Sequence, residues 1–528
     1  MTNRLPRRPN ILHILSDQHS PYVAGCYGDP VVQTPNLDRL AASGAVFDAA
    51  YCPSPICVPS RMSLLTGRHP YQNECWDNTH ILDPGIPTFA HALGAAGYRT
   101  AIIGRMHSLG PDQLRGYSER LVGDHSPNFL GNPSPPRGVL DGTAGPARIS
   151  LTRSGPGQGG YQVHDEYVTA AAVDWLNRLG IERRSLGTGE PFLLTVGYML
   201  PHQPFVARRA EFERYRGRVP PPRHPRPPEP DHPYLQWWRR HTGIEDVTED
   251  EIVRCRTAYW ALVDRLDAMI GQVLQALEAN GFADDTLVIY TTDHGEQAGE
   301  HGLWWKQTFY EASARVPLII AWPGVIAPGQ RCRRVVSALD VTATILDAAG
   351  APALPRLAGR SLLGLIGPVE GPRSKDDNAA SPPEVPASPS ILRPSSEGAN
   401  PSSVLRPSPK EWEDVAFSEF CVEAGWYQRM IRSGPWKLNY YHGHRPQLFN
   451  LADDPDEVRD LADDPGCARI REELTARVVA GWDVDAITRK IAEKRENHAL
   501  LVQWARATHP RDAYRWHMPP ELNYLDDT

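Results

Sequence analysis

The chain has 528 residues, 41% of them hydrophobic and 22% charged, with a formal net charge of -8. That length exceeds the usual single core and predicts one large domain with a smaller companion. The acidic balance, without a basic block, excludes a nucleic-acid partner, and eight scattered cysteines do not form the disulfide framework of a small secreted protein.

In chain order, the start "MTNRLPRRPN" leads into an apolar run from Ile11 to Leu15. The run is too short for a signal h-region and has no small-residue cleavage site behind it. It reads as a first strand, "NILHILSD" at 10–17. "TPNLDRLAASG" at 34–44 is a short amphipathic helix, "VFDAAYC" is strand-like, and "SRMSLLTG" after Pro59 is a helix stopped by Gly67. Pro59 is expected at its first position, with Cys57 at the helix N-terminus. Residues 98–104 and 191–199 are again strands. "VPPPRHPRPPEPDHP" at 219–233 is a stiff extended loop, over a site or merely on the surface.

A long helix follows from Thr248, whose "TEDE" makes a capping box with Glu251, to Asn280 and Gly281. Its apolar residues, from Ile252 to Leu277, recur every three or four positions and mark one buried face. Strands follow at 286–295 and 316–324. Residues 367–410 are dominated by Pro and Ser, with "SILRPS" echoed by "SVLRPS"; such composition cannot bury a core and predicts a disordered insertion or linker. Beyond it, "MIRSGPWKLNYY" and "PQLFNLADDPDEVRDLADDP" suggest strands, a turn and helix. The expected architecture is α/β, a central mostly parallel sheet flanked by helices with a smaller C-terminal α+β subdomain. Its divisions are 1–366, 367–410 and 411–528. No segment approaches the roughly 20 apolar residues that span a bilayer, so a soluble, cytoplasmic protein without a membrane partner is expected.

Asp17 and Gln18 end the first strand, and Asp293 and His294 end a later one. Brought together at neighbouring strand ends, carboxylate, amide and imidazole groups suit one divalent cation, with Ca²⁺, Mg²⁺ or Mn²⁺ favoured over structural zinc. A strand-end Asp is also ordinary turn chemistry. Cys57, at a helix N-terminus, is either a buried structural thiol or an activated nucleophile.

"CVPSR" followed by "LLTGR" (Cys57, Pro59, Ser60, Arg61, Thr66, Gly67, Arg68) resembles the signature of the sulfatases in the alkaline phosphatase superfamily. "CPSPI" at Cys52 does not match it, and Cys52 reads as a small buried residue. Further landmarks occur in the family's order: Asp17 and Gln18, "GRMH" with Arg105 and His107, "PHQPF" with His202, "TTDHGE" with Asp293 and His294, and "KQTFYEASARVP" with Lys306.

The resemblance implies an alkaline phosphatase-like fold and hydrolysis of a sulfate ester of a small molecule or saccharide. It implies oxidation of Cys57 to formylglycine by a formylglycine-generating enzyme. It also implies one divalent metal, Ca²⁺ before Mn²⁺ or Mg²⁺, held by Asp17, Gln18, Cys57, Asp293 and His294, and it is compatible with a homo-oligomer. One hydroxyl of hydrated formylglycine would attack sulfur and the second would expel sulfate. Asp293 would assist the first step as base and His107 the second. Arg61 would hold the diol, while Arg105, Lys306 and His202 face the sulfate, the last two as donors to the leaving oxygen.

Departures from the pattern are Arg105 for a common lysine, Gln18 for a common aspartate and His294 for a common asparagine. They resemble the branch of choline sulfatases and phosphonate monoester hydrolases, in which Trp304 or Trp305 would help cage a quaternary ammonium unless both are core. A phosphonate monoester or phosphodiester hydrolase with the same site, and a non-catalytic binding protein with unmodified Cys57, are the alternatives.

Overall fold

The computed structural model describes residues 8–187, 189–367, 411–422 and 425–526; the Pro/Ser-rich stretch, apart from Gly367, lies outside them. A nine-stranded sheet forms the centre. Its order is Gln330–Ser337, Ala45–Tyr51, Leu318–Ala321, Thr286–Thr292, Asn10–Asp17, Phe192–Pro201, Arg99–Gly104 and Glu119–Leu121, with the two-residue strand Arg315–Val316 also against Ala45–Tyr51. Most neighbours are parallel. Leu318–Ala321, however, runs antiparallel to both its partners, a direction that an apolar run at 316–324 could not reveal.

Side-chain alternation builds two cores, one on each face of the sheet. Leu12 and Ile14, with Val288 and Tyr290, face a layer containing Val168 and Trp175 of the helix Gly160–Leu186 and Cys255, Tyr259 and Leu266 of the helix Glu249–Ala279. The second helix matches its sequence signals, with Thr248 and Glu251 closing a reciprocal capping box. Gly160–Leu186 begins on glycine without a side-chain cap, so it carried no start signal.

Ile11 and Leu15, with Leu287 and Ile289, face the helices Cys57–Thr66 and Leu339–Ala349. The C-terminal region, an antiparallel sheet of Val415–Val422, Trp426–Ser433, Trp436–Tyr441 and Gln447–Asn450, closes this second core. Its Met430, Tyr441 and Phe449 enter that core, while Ile431, Leu438 and Leu448 face Leu474 and Val478 of the helix Ala468–Val479.

A buried charge cluster ties this smaller sheet down. Lys437 Nζ lies 2.9 Å from Glu311 Oε1 and 2.7 Å from Glu457 Oε1, with the lysine side chain fully buried. Among the described residues no helix is long and apolar enough to cross a membrane.

Candidate active site

Strand register explains why the two acidic strand ends meet. Asn10–Asp17 and Thr286–Thr292 run parallel to a last pair of Ser16 with Thr292, so Asp17 and Asp293 leave the sheet side by side. The Gln18 amide donates to Asp293 Oδ1 at 3.1 Å. On the other flank Asp17 pairs with Pro201, which delivers His202. Arg99–Gly104 ends beside Gly197, where the Arg105 amide donates to the Gly197 carbonyl at 2.8 Å. That crossing requires glycine, because a Cβ on Gly197 would stand 1.9 Å from the Arg105 carbonyl oxygen. The site therefore lies at the carboxyl ends of neighbouring parallel strands, where open α/β sheets bind ligands.

Cys57 is the first residue of the helix Cys57–Thr66, and Pro59 is its third rather than its first. Proline is tolerated there because first-turn amides have no intrahelical acceptor; Ser60 makes the opening bond to Ile56 at 3.1 Å. The Val58 amide is capped by Asn78 Oδ1 at 2.9 Å. The Cys57 thiol is buried, 3.2 Å from Lys306 Nζ, 3.3 Å from His294 Nε2 and 3.7 Å from Asp17 Oδ1.

Arg61, one turn on, is fully buried and donates to Asp293 Oδ2 at 2.7 Å, Asp17 Oδ2 at 3.0 Å and the carbonyls of Ser16 and Arg105. Arg105 Nε adds a second contact to Asp17 Oδ2, at 2.6 Å. Burial alone would push the Asp17 carboxyl up, but Arg105, His202, Arg61 and Lys306 hold it well below the usual carboxylate range.

The two arginines occupy Oδ2 of each aspartate and leave the Oδ1 atoms toward the thiol and His294. His294 Nδ1 contacts the Gly295 carbonyl at 3.1 Å, a bond that needs the proton on Nδ1 and leaves the Nε2 lone pair facing the cluster. Burial pushes the imidazole down to about 4, against the pull of Asp293. One ligand atom from each of Asp17, Cys57, Asp293 and His294 lies within 4.8 Å of the others. Two carboxylate oxygens, a neutral imidazole nitrogen and the residue-57 position fit a divalent cation. Gln18 stands beside this set: its Nε2 donates to Gln203 Oε1 at 2.6 Å and to Glu296 Oε2, which turns its Oε1 to Lys306 Nζ at 2.7 Å.

Lys306 joins three groups: the thiol, Gln18 and His202 Nε2, the last at 2.8 Å. His202 Nδ1 is 2.6 Å from the Gln203 carbonyl, so Nδ1 carries the ring proton and Nε2 accepts from Lys306. Burial, reinforced by Lys306, holds His202 well below its ordinary value. His107 Nδ1 is 2.9 Å from Arg105 Nη2; a guanidinium only donates, so the His107 proton sits on Nε2. The His107 ring lies within the electrostatic reach of the Cys57 thiol.

The expected catalytic and metal-holding residues, Asp17, Gln18, Cys57, Arg61, Arg105, His107, His202, Asp293, His294 and Lys306, are thus brought to one place. Trp304 and Trp305 are not part of it. Both are core, Trp304 against the Phe205 ring and Trp305 donating to Ser150 Oγ at 3.0 Å. Cys52 is buried 4.0 Å from Ser418 Oγ, its thiol pushed up to about 12 by burial. Segment 219–233 packs onto the loop after His294, where the amides of Arg223 and His224 donate to Glu300, and onto the helix Glu249–Ala279, where the Pro220 carbonyl accepts from Arg256.

Sequence reading did not single out Gln203 and Glu296 behind Gln18. It also passed over Asp124, which accepts from the His107 amide at 2.9 Å, and Asp165, whose carboxylate takes the amides of Met199 and Leu200 just before His202. Asp124 and Asp165 are single polar residues without a motif to mark them, whereas Gln203 and Glu296 lie inside "PHQPF" and "TTDHGE" but meet the site only through Gln18.

The family model described as Sulfatase matches residues 9–351. A choline-sulfatase of Rhizobium meliloti (strain 1021) is 33% identical over 513 residues, covering 94% of this chain and 91% of its own length. The chain belongs to the sulfatase family. This sulfatase is also 30% identical over 480 residues to arylsulfatase K of Gallus gallus, covering 86% of this chain and 79% of that relative. The alkaline phosphatase-like fold is shared with the phosphonate monoester hydrolase of Agrobacterium radiobacter. The two superpose with a TM-score of 0.67 at 21% identity over 90% of this sulfatase and 95% of the hydrolase.

Proposed function

We propose that this sulfatase hydrolyses a sulfate monoester with residue 57 in its formylglycine form and one divalent cation held by Asp17, Gln18, Asp293, His294 and residue 57. The observation that carries this reading is the convergence of Asp17, Asp293 and His294 on a cysteine at a helix N-terminus, with Lys306 against the thiol. A formylglycine-generating enzyme is the maturation partner. Ca²⁺ is the first candidate cation for this oxygen-rich set, and the imidazole keeps Mn²⁺ beside it. When present, the cation supplies charge neutralisation and polarisation of a sulfate oxygen, and hydrated formylglycine supplies the oxygen nucleophile.

The chain's own groups do the rest. Arg61 fixes both aspartates, and Arg105 and Lys306 set positive charge where the sulfate oxygens gather. Lys306 is the donor to the leaving oxygen, because His202 Nε2 already accepts from it and can return a proton only through it. The His107 tautomer presents N–H toward residue 57, which steadies an oxygen there; acting as base requires that proton to leave first.

Turnover of an aryl sulfate by protein matured with the modifying enzyme, lost in Cys57→Ala, tests the reading; undiminished turnover in that variant overturns it. A phosphonate monoester is the second substrate to compare, since Arg105, Lys306 and His202 would equally face a phosphonate anion.

A further inference from the structure

Arg137 has no place in the chemistry described above, yet it stands close to it. Its guanidinium lies 4.8 Å from the centroid of the Tyr161 ring and donates from Nη2 to Tyr161 Oη at 2.8 Å and to His125 Nε2 at 2.6 Å. The Tyr161 ring lies 5.9 Å from the His202 ring. A chain of contacts therefore runs from the residue-57 thiol through Lys306, His202 and Tyr161 to Arg137. The Tyr161 hydroxyl also lies within the electrostatic reach of Arg105.

The side chain is half-buried, and the ion pairs found among the described residues give Arg137 no carboxylate. Asp141 is near, but it accepts from the Arg137 main-chain amide, at 2.6 Å. A guanidinium stays charged in any protein environment, and its flat fork matches a carboxylate or sulfate. Held on an aromatic face, with Tyr161 and His202 between it and Lys306 and without a counter-charge, it repels a cation and attracts a second anion.

We propose that Arg137, with the Tyr161 hydroxyl, binds an anionic group on the alcohol part of the substrate, a carboxylate or a second sulfate. This inference rests on the sulfate-ester reading and narrows it: the substrates are acidic sulfate esters rather than esters of a quaternary ammonium alcohol. The burial of Trp304 and Trp305 agrees, because neither ring is exposed to cage a trimethylammonium group.

The test compares kcat/KM of the matured protein on matched sulfate monoesters: one with a carboxylate on the alcohol, one with a second sulfate, one neutral aryl ester and choline sulfate. The proposal expects at least one acidic ester to exceed the neutral one about tenfold or more, with the gain mainly in KM. The carboxylate and disulfate arms show which anion is read. In Arg137→Gln the acidic-to-neutral ratio should fall by about 10- to 100-fold, and Arg137→Lys should restore part of it.

A ratio unchanged in Arg137→Gln, or a wild-type preference for choline sulfate, overturns the proposal while leaving the sulfatase reading intact. An equal loss on acidic and neutral esters also overturns it, since Arg137 would then only brace Tyr161. Failure to hydrolyse any of the four esters with formylglycine confirmed at 57 would instead overturn the sulfate-ester reading.

Discussion

Arg61 and Asp293 form an ion pair of 2.7 Å with both side chains fully buried. The pair links the helix that begins with Cys57 to the strand end that offers Asp293 Oδ1, so one guanidinium sets the spacing between residue 57 and the acidic cluster. Removing one member of a buried pair leaves the other uncompensated, at about 3–5 kcal/mol. Arg61→Met should therefore lose stability on that scale in urea unfolding. Its activity should fall even at temperatures where it stays folded.

In the proposed reading Lys306 protonates the leaving oxygen. Lys306→Ala should lower kcat/KM by about 10²–10⁴ on alkyl sulfates and far less on nitrophenyl sulfate, whose leaving group needs no proton. A rate series across leaving groups of different acidity checks this, and an equal loss on all of them would remove Lys306 from that role.

In the proposed cation site Glu296 would act through Gln18. Its Oε1 accepts from the amides of Ala298 and Trp305 at 2.8 and 2.7 Å, and its Oε2 accepts from Gln18 Nε2. Groups that orient a ligand in this way typically change metal affinity about 10- to 100-fold. Glu296→Gln should weaken binding in a Ca²⁺ or Mn²⁺ titration on that scale while the far-ultraviolet circular dichroism is retained. Chelation of the wild type should lower Tm, and added metal should restore it.

Glu419, in the C-terminal sheet, gives a pH dependence with a definite sign. It is 2% exposed, with Arg429 Nε 3.8 Å from Oε2, and burial pushes its carboxyl up to about 7. The folded protein thus holds a proton that the unfolded chain releases near pH 4.5. This contribution to stability is fully present below that value and is lost as pH rises through about 7. Urea unfolding from pH 5 to 8 should show the decline, and Glu419→Gln should flatten it.

What the sequence disclosed depended on contiguity. Cys57 to Arg68 is a single run, and Asp17–Gln18 and Asp293–His294 are adjacent pairs at the ends of apolar strands, so these stretches could carry the family resemblance that singled them out. Glu296 and Gln203 reach the site through Gln18, and Asp165 through Met199 and Leu200, partners far away in sequence, and Arg137 acquires its setting from Tyr161 on a helix that lacks a start signal. The antiparallel course of Leu318–Ala321 and the burial of Trp304 and Trp305 were equally hidden, because neither strand direction nor the side on which an aromatic packs is written in a short apolar run.

The most direct measurement is fragmentation of the peptide spanning residues 40–61, from protein made with the modifying enzyme and shown to release sulfate. The account predicts formylglycine at position 57 and an unmodified thiol at Cys52. A thiol at both positions in protein that still releases sulfate would contradict it.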